Sequence, residues 1–322
     1  PRSTLFPYTT LFDLVGALRH HPARYSPSVT TSNKLISELE GEINIMTILL
    51  VHNSQIGAHT CFVAQKIANI LHTLDTDSII ADISQPGWDS YQPESIIILG
   101  GDGTIIKVAG QYAQQDIPVL GINMGTIGFL SNLEVHEIST KFMSDLLSGN
   151  YQLDERMMLE VSICDQYDHV ISRYLSLNEV CIKTVASHMA ALGIEIDGKL
   201  HTHYRGDGML IASPTGSTAY SLSAGGPIVD PELEVILITP LLSYLLSKRT
   251  LVVASNKVIT LFNLDKTMIA ICIDGQDIIT TDEPFQIIVK KARNHFKLIN
   301  LKGRDFFASV DRRLGQNCQP GS

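Results

Sequence analysis

Gly100-Gly101-Asp102-Gly103-Thr104 sets a carboxylate in the middle of a glycine turn, between the apolar run Ser95–Leu99 and an amphipathic stretch starting near Thr104. Glycine lets a backbone approach a ligand closely because no Cβ intervenes, and the free N–H groups at a helix start attract phosphate. An acid at that place makes chemical sense if it accepts a proton from an attacking hydroxyl or binds Mg²⁺. The same five letters also fit a tight turn with an aspartate helix cap. They match neither the G-x-x-x-x-G-K-[ST] nor the G-x-G-x-x-G spacing, which excludes a P-loop and a Rossmann fingerprint.

Three further segments bear on that choice. Asn123-Met124-Gly125-Thr126-Ile127-Gly128-Phe129-Leu130 follows another apolar run, and Asn178-Glu179-Val180 closes the stretch Tyr174–Leu177. Tyr204-Arg205-Gly206-Asp207-Gly208 leads through an apolar segment into Ser213-Pro214-Thr215-Gly216-Ser217-Thr218-Ala219-Tyr220-Ser221-Leu222-Ser223-Ala224-Gly225-Gly226-Pro227. So many hydroxyls and glycines can surround a polar ligand with donors, although composition alone also permits a plain loop. His201 and His203 share one side of a strand, but no third metal ligand lies at a suitable spacing.

In this order and spacing the four segments resemble the NAD kinase family, over about residues 46–315. The GGDGT element is shared with diacylglycerol-type lipid kinases and related to the phosphofructokinase turn, so the other three segments carry the resemblance. It implies transfer of a phosphoryl group from ATP, or polyphosphate, to the adenosine ribose 2′-hydroxyl of NAD, with Mg²⁺ or another divalent cation. It also implies an α/β domain joined to a β-rich, sandwich-like one, and a homodimer or homotetramer. Carried over by position, Asp102 is the general base, Gly103 admits the nucleotide, and Lys107 reaches phosphate. Asn178 and Glu179 match the family's dinucleotide clamp, a pairing of amide and carboxylate suited to ribose hydroxyls. Arg205 and Asp207 match its ligand-contacting pair, Thr218, Ala219, Tyr220 and Ser223 fall on binding positions, and His188 and Gln276 align with further contacts. Asp274-Gly275 before Gln276 also reads as a simple hairpin turn. No metal ligand is assigned.

One segment departs from the family. Where its members usually carry I-T-P-x-x-P-H-T-L-S-x-R-P, this chain has Ile238 to Thr250, with Tyr244 at the histidine position and Ser243 and Thr250 at two proline positions. The change bears on oligomer geometry and fine specificity more than on chemistry. A lipid kinase would need a route for an acyl chain, and no apolar groove signal lies between Asn150 and Ser213. A non-catalytic NAD(P)-binding sensor is the rival of another class, and the intact Asp102 argues against it.

Elements must hold these residues in place. Ile48–Val51, Ser95–Leu99 and Pro118–Ile122 read as buried strands, and Thr60–Leu74, Thr104–Gln114 and Val135–Leu147 as helices. In the first helix Phe62, Ile67, Ile70, Leu71 and Leu74 are assigned to one face. Strands alternating with helices predict a three-layer domain with a parallel sheet over residues 46–150. Beyond Asn150, short Val-, Ile- and Leu-rich segments separated by turn signals predict a β-rich domain over 151–300. They are Leu159–Ile163, Leu192–Ile196, Met209–Ala212, Lys257–Leu261, Met268–Ile273 and Phe285–Val289. A C-terminal segment, 301–322, is helical from Phe306 to Leu314 and packs back on the first domain.

Composition bounds the rest. Hydrophobic residues make up 44% and charged ones 18% of 322 residues, enough to build a core and too apolar for intrinsic disorder. The net charge of −9 leaves no global basic field for a nucleic acid backbone. The five scattered cysteines lack a C-x-x-C pair, and no run reaches the about 18 apolar residues of a membrane span. A cytoplasmic protein without nucleic acid or membrane partners is expected. Residues 1–45 show neither helical nor strand periodicity at their start and lack the features of a signal peptide. Their opening resembles a translated sequencing adapter, so they are expected to be a disordered or non-native extension, with Met46 at or near the native start.

Overall fold

Strands covered on both faces are written as unbroken apolar runs, and the isoleucine-rich runs of this chain become the centre of its largest sheet. The computed structural model describes residues 47–125, 128–185, 188–242, 249–303 and 305–315. The expected start at Met46 and Tyr244 of the divergent segment lie outside them.

β1 (Thr47–His52), α1 (His59–His72), β2 (Asp77–Asp82), β3 (Ser95–Gly100), α2 (Asp102–Tyr112) and β4 (Val119–Asn123) follow one another. A two-residue strand, β5 (Leu133–Glu134), and α3 (Thr140–Leu147) complete this half. The strands β1 to β5 pair in parallel, in the order β4-β3-β1-β2. Ile105, Val108, Ala109 and Tyr112 of α2 pack with Leu49, Val51, Ile96 and Ile98 on one face. Val63, Ala64, Ile67 and Leu71 of α1, with Met143 and Leu146 of α3, cover Ile48, Leu50, Ile97 and Leu99 on the other. Three layers result.

Two expectations change in detail. Phe62 is 74% exposed, because α1 buries Thr60, Val63, Ala64, Ile67 and Leu71, and position 62 falls on the opposite side of that stripe. The helix expected from Val135 begins at Thr140 instead. Val135–Glu137 forms a separate 3-10 turn, Ile138 is extended, and the Ser139 hydroxyl caps α3 by accepting from the Phe142 N–H.

The later strands are β6 (Gln152–Cys164), β7 (Val170–Ser176), β8 (Glu179–Thr184), β9 (Ala190–Ile196), β10 (Lys199–Gly206) and β11 (Gly208–Ala212). After the short α4 (Tyr220–Ser223) come β12 (Val235–Leu241), β13 (Leu251–Ala254), β14 (Ile259–Asn263), β15 (Ile269–Ile273), β16 (Gln276–Thr281) and β17 (Gln286–Asn300). α5 (Phe306–Gly315) ends the described chain. β8, β11, β12, β13, β15 and β16 form a second sheet, all antiparallel. Its Val180, Ile182, Ile211 and Ile271 face Leu159, Val161, Leu192, Leu261 and Val289 across a sandwich core.

The remaining later strands join the first sheet rather than forming one of their own. β17 pairs antiparallel with β6 and β14, and touches β4 in parallel at Leu298 and Val119. Among the described residues this gives an eleven-stranded mixed sheet. β17 is three times the length read for it, because a bulge between Lys291 and His295 interrupts its alternation. No described helix is long and apolar enough to cross a membrane.

Candidate active site

β1 continues to β2 on one side and β3 to β4 on the other, so the sheet reverses direction of growth between β1 and β3. Ligands of open α/β sheets bind beyond the carboxyl ends of strands at such a point. The glycine turn leaves β3 there. Gly101 caps α2 in an extended conformation, which makes Asp102 the first residue of the helix.

Asp102 turns away from the helix start and is held by the loop after β4. Its Oδ2 accepts from the Phe129 N–H at 2.8 Å and its Oδ1 from the Leu130 N–H at 3.1 Å. Gly128 makes this approach possible, since a Cβ there would stand 1.9 Å from Asp102 Oδ1. A third partner comes from the far end of the chain: Arg313 Nη1 of α5 lies 3.4 Å from Asp102 Oδ2. Its Cζ sits 4.7 Å from the centre of the Phe129 ring. Gly103 is exposed, with open space where a Cβ would go.

A second cluster forms where β8 begins. Asp274, in the left-handed region at φ 49°, reaches back across the sheet to the backbone before β8. Its carboxylate accepts from Ser176 Oγ at 2.6 Å and from the N–H groups of Leu177 at 2.8 Å, Asn178 at 2.8 Å and Glu179 at 3.0 Å. Asn178 and Glu179 are thereby fixed, and both are buried. Ser213 Oγ donates to Leu177 O, and Gly216 brings the hydroxyl-rich loop against Asn178, where a Cβ would lie 2.2 Å from Asn178 O. Thr218 closes a 3-10 turn by donating to Thr215 O, and Ala219 and Tyr220 follow.

Charge is scarce in this cluster. Burial raises the Asp274 carboxyl while its four donors pull it back. Glu179 has far fewer donors: one buried oxygen, Oε2, lacks a partner. Burial, with the Asp274 charge beside it, pushes Glu179 up to about 8. Near neutral pH Glu179 therefore keeps its proton. The Tyr220 hydroxyl is raised by burial first and then by Cys181, with Asp207 among the neighbouring charges.

Lys107 and Gln276 join the clusters. Lys107 Nζ donates to Ile83 O at 3.1 Å. Together with Asp274, Gln276, Arg173 and Gln111 it lines a cavity of about 560 Å³ between α2 and the edge of the second sheet. Ser223, His188 and Arg205 are exposed. Among the described residues no hydrogen bond or ion pair joins the side chains of His188 and Arg205 to the rest of the set. Asp207 lies between β10 and β11, its N–H donating to Leu241 O. His201 and His203 are exposed on β10, and no group of three metal-ligating side chains occurs among the described residues. Each Asp102 oxygen already accepts from an N–H donor, and a lone pair on Oδ1 is left for a proton. This donor set fits no resident metal ion.

The sequence pattern did not point to the organising role of Asp274, to Gly128 or to Arg313. Each acts at long range in the chain, and local patterning carries no signal for such contacts.

The fold and site define a two-part nucleotide-type kinase architecture: a glycine turn carrying a carboxylate at a sheet switch point, joined to a β sandwich that carries a hydroxyl-rich loop. Residues 91–151 match the ATP-NAD kinase N-terminal domain and residues 177–301 the ATP-NAD kinase C-terminal domain. The NAD kinase of Natranaerobius thermophilus is 40% identical over 223 residues, 69% of this chain and 77% of that protein. That of Pectobacterium atrosepticum is 34% identical over 262 residues, 80% and 86% of the two chains. Yeast NADH kinase, solved with NADH, superposes at a TM-score of 0.78 with 24% identity, covering 86% of this chain and 89% of its own. The Archaeoglobus fulgidus NAD kinase, solved with ATP, gives 0.67 with 23% identity, covering 84% and 99%. The chain belongs to the NAD kinase family, and it is an enzyme.

Proposed function

We propose that this chain makes NADP from NAD, with Asp102 as the general base and the Asn178–Glu179 shelf as the seat of the dinucleotide. The observation that supports it best is the placement of Asp102. Its carboxylate stands at the sheet switch point, at a helix start, fixed by two N–H donors and free of a Cβ at Gly128. In the reaction the adenosine ribose 2′-oxygen bonds to the γ-phosphorus of ATP while the bond to the bridging oxygen breaks. The electron pair leaves with ADP, and the hydroxyl proton passes to Asp102.

The other residues bind. Asn178 and Glu179 take ribose hydroxyls, Thr218, Ala219, Tyr220 and Ser223 line the shelf, and Asp207, Arg205 and His188 complete its rim. Lys107 and Gln276 serve phosphate from the neighbouring cavity. A divalent cation such as Mg²⁺ arrives with the donor's phosphates, which commonly supply most of its ligands, and belongs to the substrate complex. The same reading includes a cytoplasmic location, supported by four free cysteines among the described residues. It also includes assembly into two or four copies, supported by the exposed edge strand β13 with Val252 at 44% exposure. Nucleic acid and membranes have no part in it.

Purified enzyme with NAD, Mg²⁺ and ATP should form NADP, and Asp102→Asn should fold normally yet lose at least about 100-fold in kcat. Near-normal turnover by that variant would refute the role of Asp102. Replacing ATP with polyphosphate, and NAD with NADH, in the same assay identifies the donor and acceptor.

A further inference from the structure

Arg313 has more contact with the reacting centre than stability explains. The side chain comes from α5, which is anchored by Phe306, 6.4 Å from Phe129 between ring centres. Its guanidinium lies over the Phe129 ring and 3.4 Å from Asp102 Oδ2, with 45% of the side chain exposed. An ion pair that open to water contributes about 0–1 kcal/mol. Asp102 is already held by two backbone N–H groups, so the arginine is not needed to place it.

The guanidinium is a planar fork of five donors, matched to phosphate oxygens, and among the described residues Asp102 is its one ion-pair partner. The need for a cation here is also plain. The chain carries a net charge of −9, the base is itself anionic, and the group arriving beside it is a triphosphate.

We infer that Arg313 is a catalytic residue of the phosphoryl transfer, resting on Asp102 and Phe129 in the free enzyme and binding the equatorial oxygens of the transferred phosphoryl group in the reaction. This rests on the reading of Asp102 as base. Arginine supplies no atom to the products. It offsets the charge that builds on the phosphoryl group while the ribose oxygen bonds and ADP leaves with the electron pair. Stacking on Phe129 keeps the fork in place while one side of it changes partner.

Arg313→Ala, Arg313→Lys and Arg313→Met are compared with Asp102→Asn by steady-state kinetics and thermal melting. Met keeps an apolar stem against Phe129, so a folded variant is in hand if Ala unfolds α5. Arg313→Ala and Arg313→Met should lose at least about 100-fold in kcat with KM for NAD within about threefold. Arg313→Lys should recover only part of the loss, because a point charge lacks the fork. Added guanidinium ion should restore turnover to Arg313→Ala and not to Asp102→Asn. A kcat within about threefold of the parent in Arg313→Met, or above it, overturns the inference, and so does a loss that guanidinium fails to rescue. If Asp102→Asn turns over normally, the reading of the base fails. If Asp102→Asn is inactive while Arg313→Met is active, only the role of Arg313 falls.

Discussion

A carboxyl that keeps its proton at neutral pH donates a hydrogen bond where an ionised one accepts, and Glu179 is such a group. Burial and the neighbouring Asp274 hold it at about 8 against a usual value of 4.5. The linkage has a definite sign. Between those two values the folded chain binds a proton that the unfolded chain has released, so stability falls as pH rises through the window. The slope is at most about 1.4 kcal/mol per pH unit. Glu179→Gln removes the titration and should flatten the fall. Chemical denaturation of both proteins from pH 5 to pH 8 tests this, and parallel curves would show that Glu179 is ionised throughout. Gly128 makes a sharper case: Gly128→Ala places a methyl where Asp102 Oδ1 now lies, at 1.9 Å. A displacement of about 1 Å at a reacting group can cost about 100-fold in rate. Gly128→Ala should lose that much kcat with its melting temperature little changed, and a variant with parent-like kcat would show that the carboxylate position is not critical.

Strands and helices decide which of these residues could be read from sequence. β1, β3 and β4 were legible as apolar runs, and so was the glycine turn between β3 and α2. β2 was not read, because Asp77–Asp82 is an edge strand with two aspartates and only half-buried isoleucines. β10 was legible as the strand that carries His201 and His203 but not in its bounds, because Lys199–Gly206 is largely exposed and shows no clean alternation. Asp274 was legible only as a turn residue. Its role comes from the register of β15 against β8, which brings it to a backbone segment some 96 positions earlier. The tie between these elements gives a prediction. Asp274→Ala leaves the N–H groups of Leu177, Asn178 and Glu179 without their acceptor, and each orphaned buried donor costs about 1–3 kcal/mol. The variant should be destabilised by several kcal/mol and bind NAD weakly, measured by denaturation and by calorimetric titration. Asp274→Asn keeps one acceptor oxygen and should fall between it and the parent. An Asp274→Ala protein as stable as the parent would mean that the loop before β8 holds its shape unaided.

At the scale of the whole molecule, Asp102 and the Asn178–Glu179 segment sit on different halves of the fold, and β17 is the element that runs through both. Its first half places Ile287 and Val289 in the sandwich core. Within and beyond the bulge, Ala292, Phe296 and Leu298 enter the core under α2, and Ile299 enters the one under α1 and α3. One strand thus feeds three cores, and neither half can lose its packing without drawing the other along. Such coupling predicts a single cooperative transition for the described chain rather than two. The sole tryptophan, Trp88, is buried in the same core as Phe296 and reports on the α/β half. Phe285→Trp in a Trp88→Phe background puts the reporter in the sandwich core instead and reports on the β-rich half. The two signals should melt together. Phe296→Ala removes a fully buried ring from that shared core, at a cost of about 3–5 kcal/mol. It should lower both melts by the same amount. A transition that moves alone would show that the halves unfold independently and that β17 does not couple them.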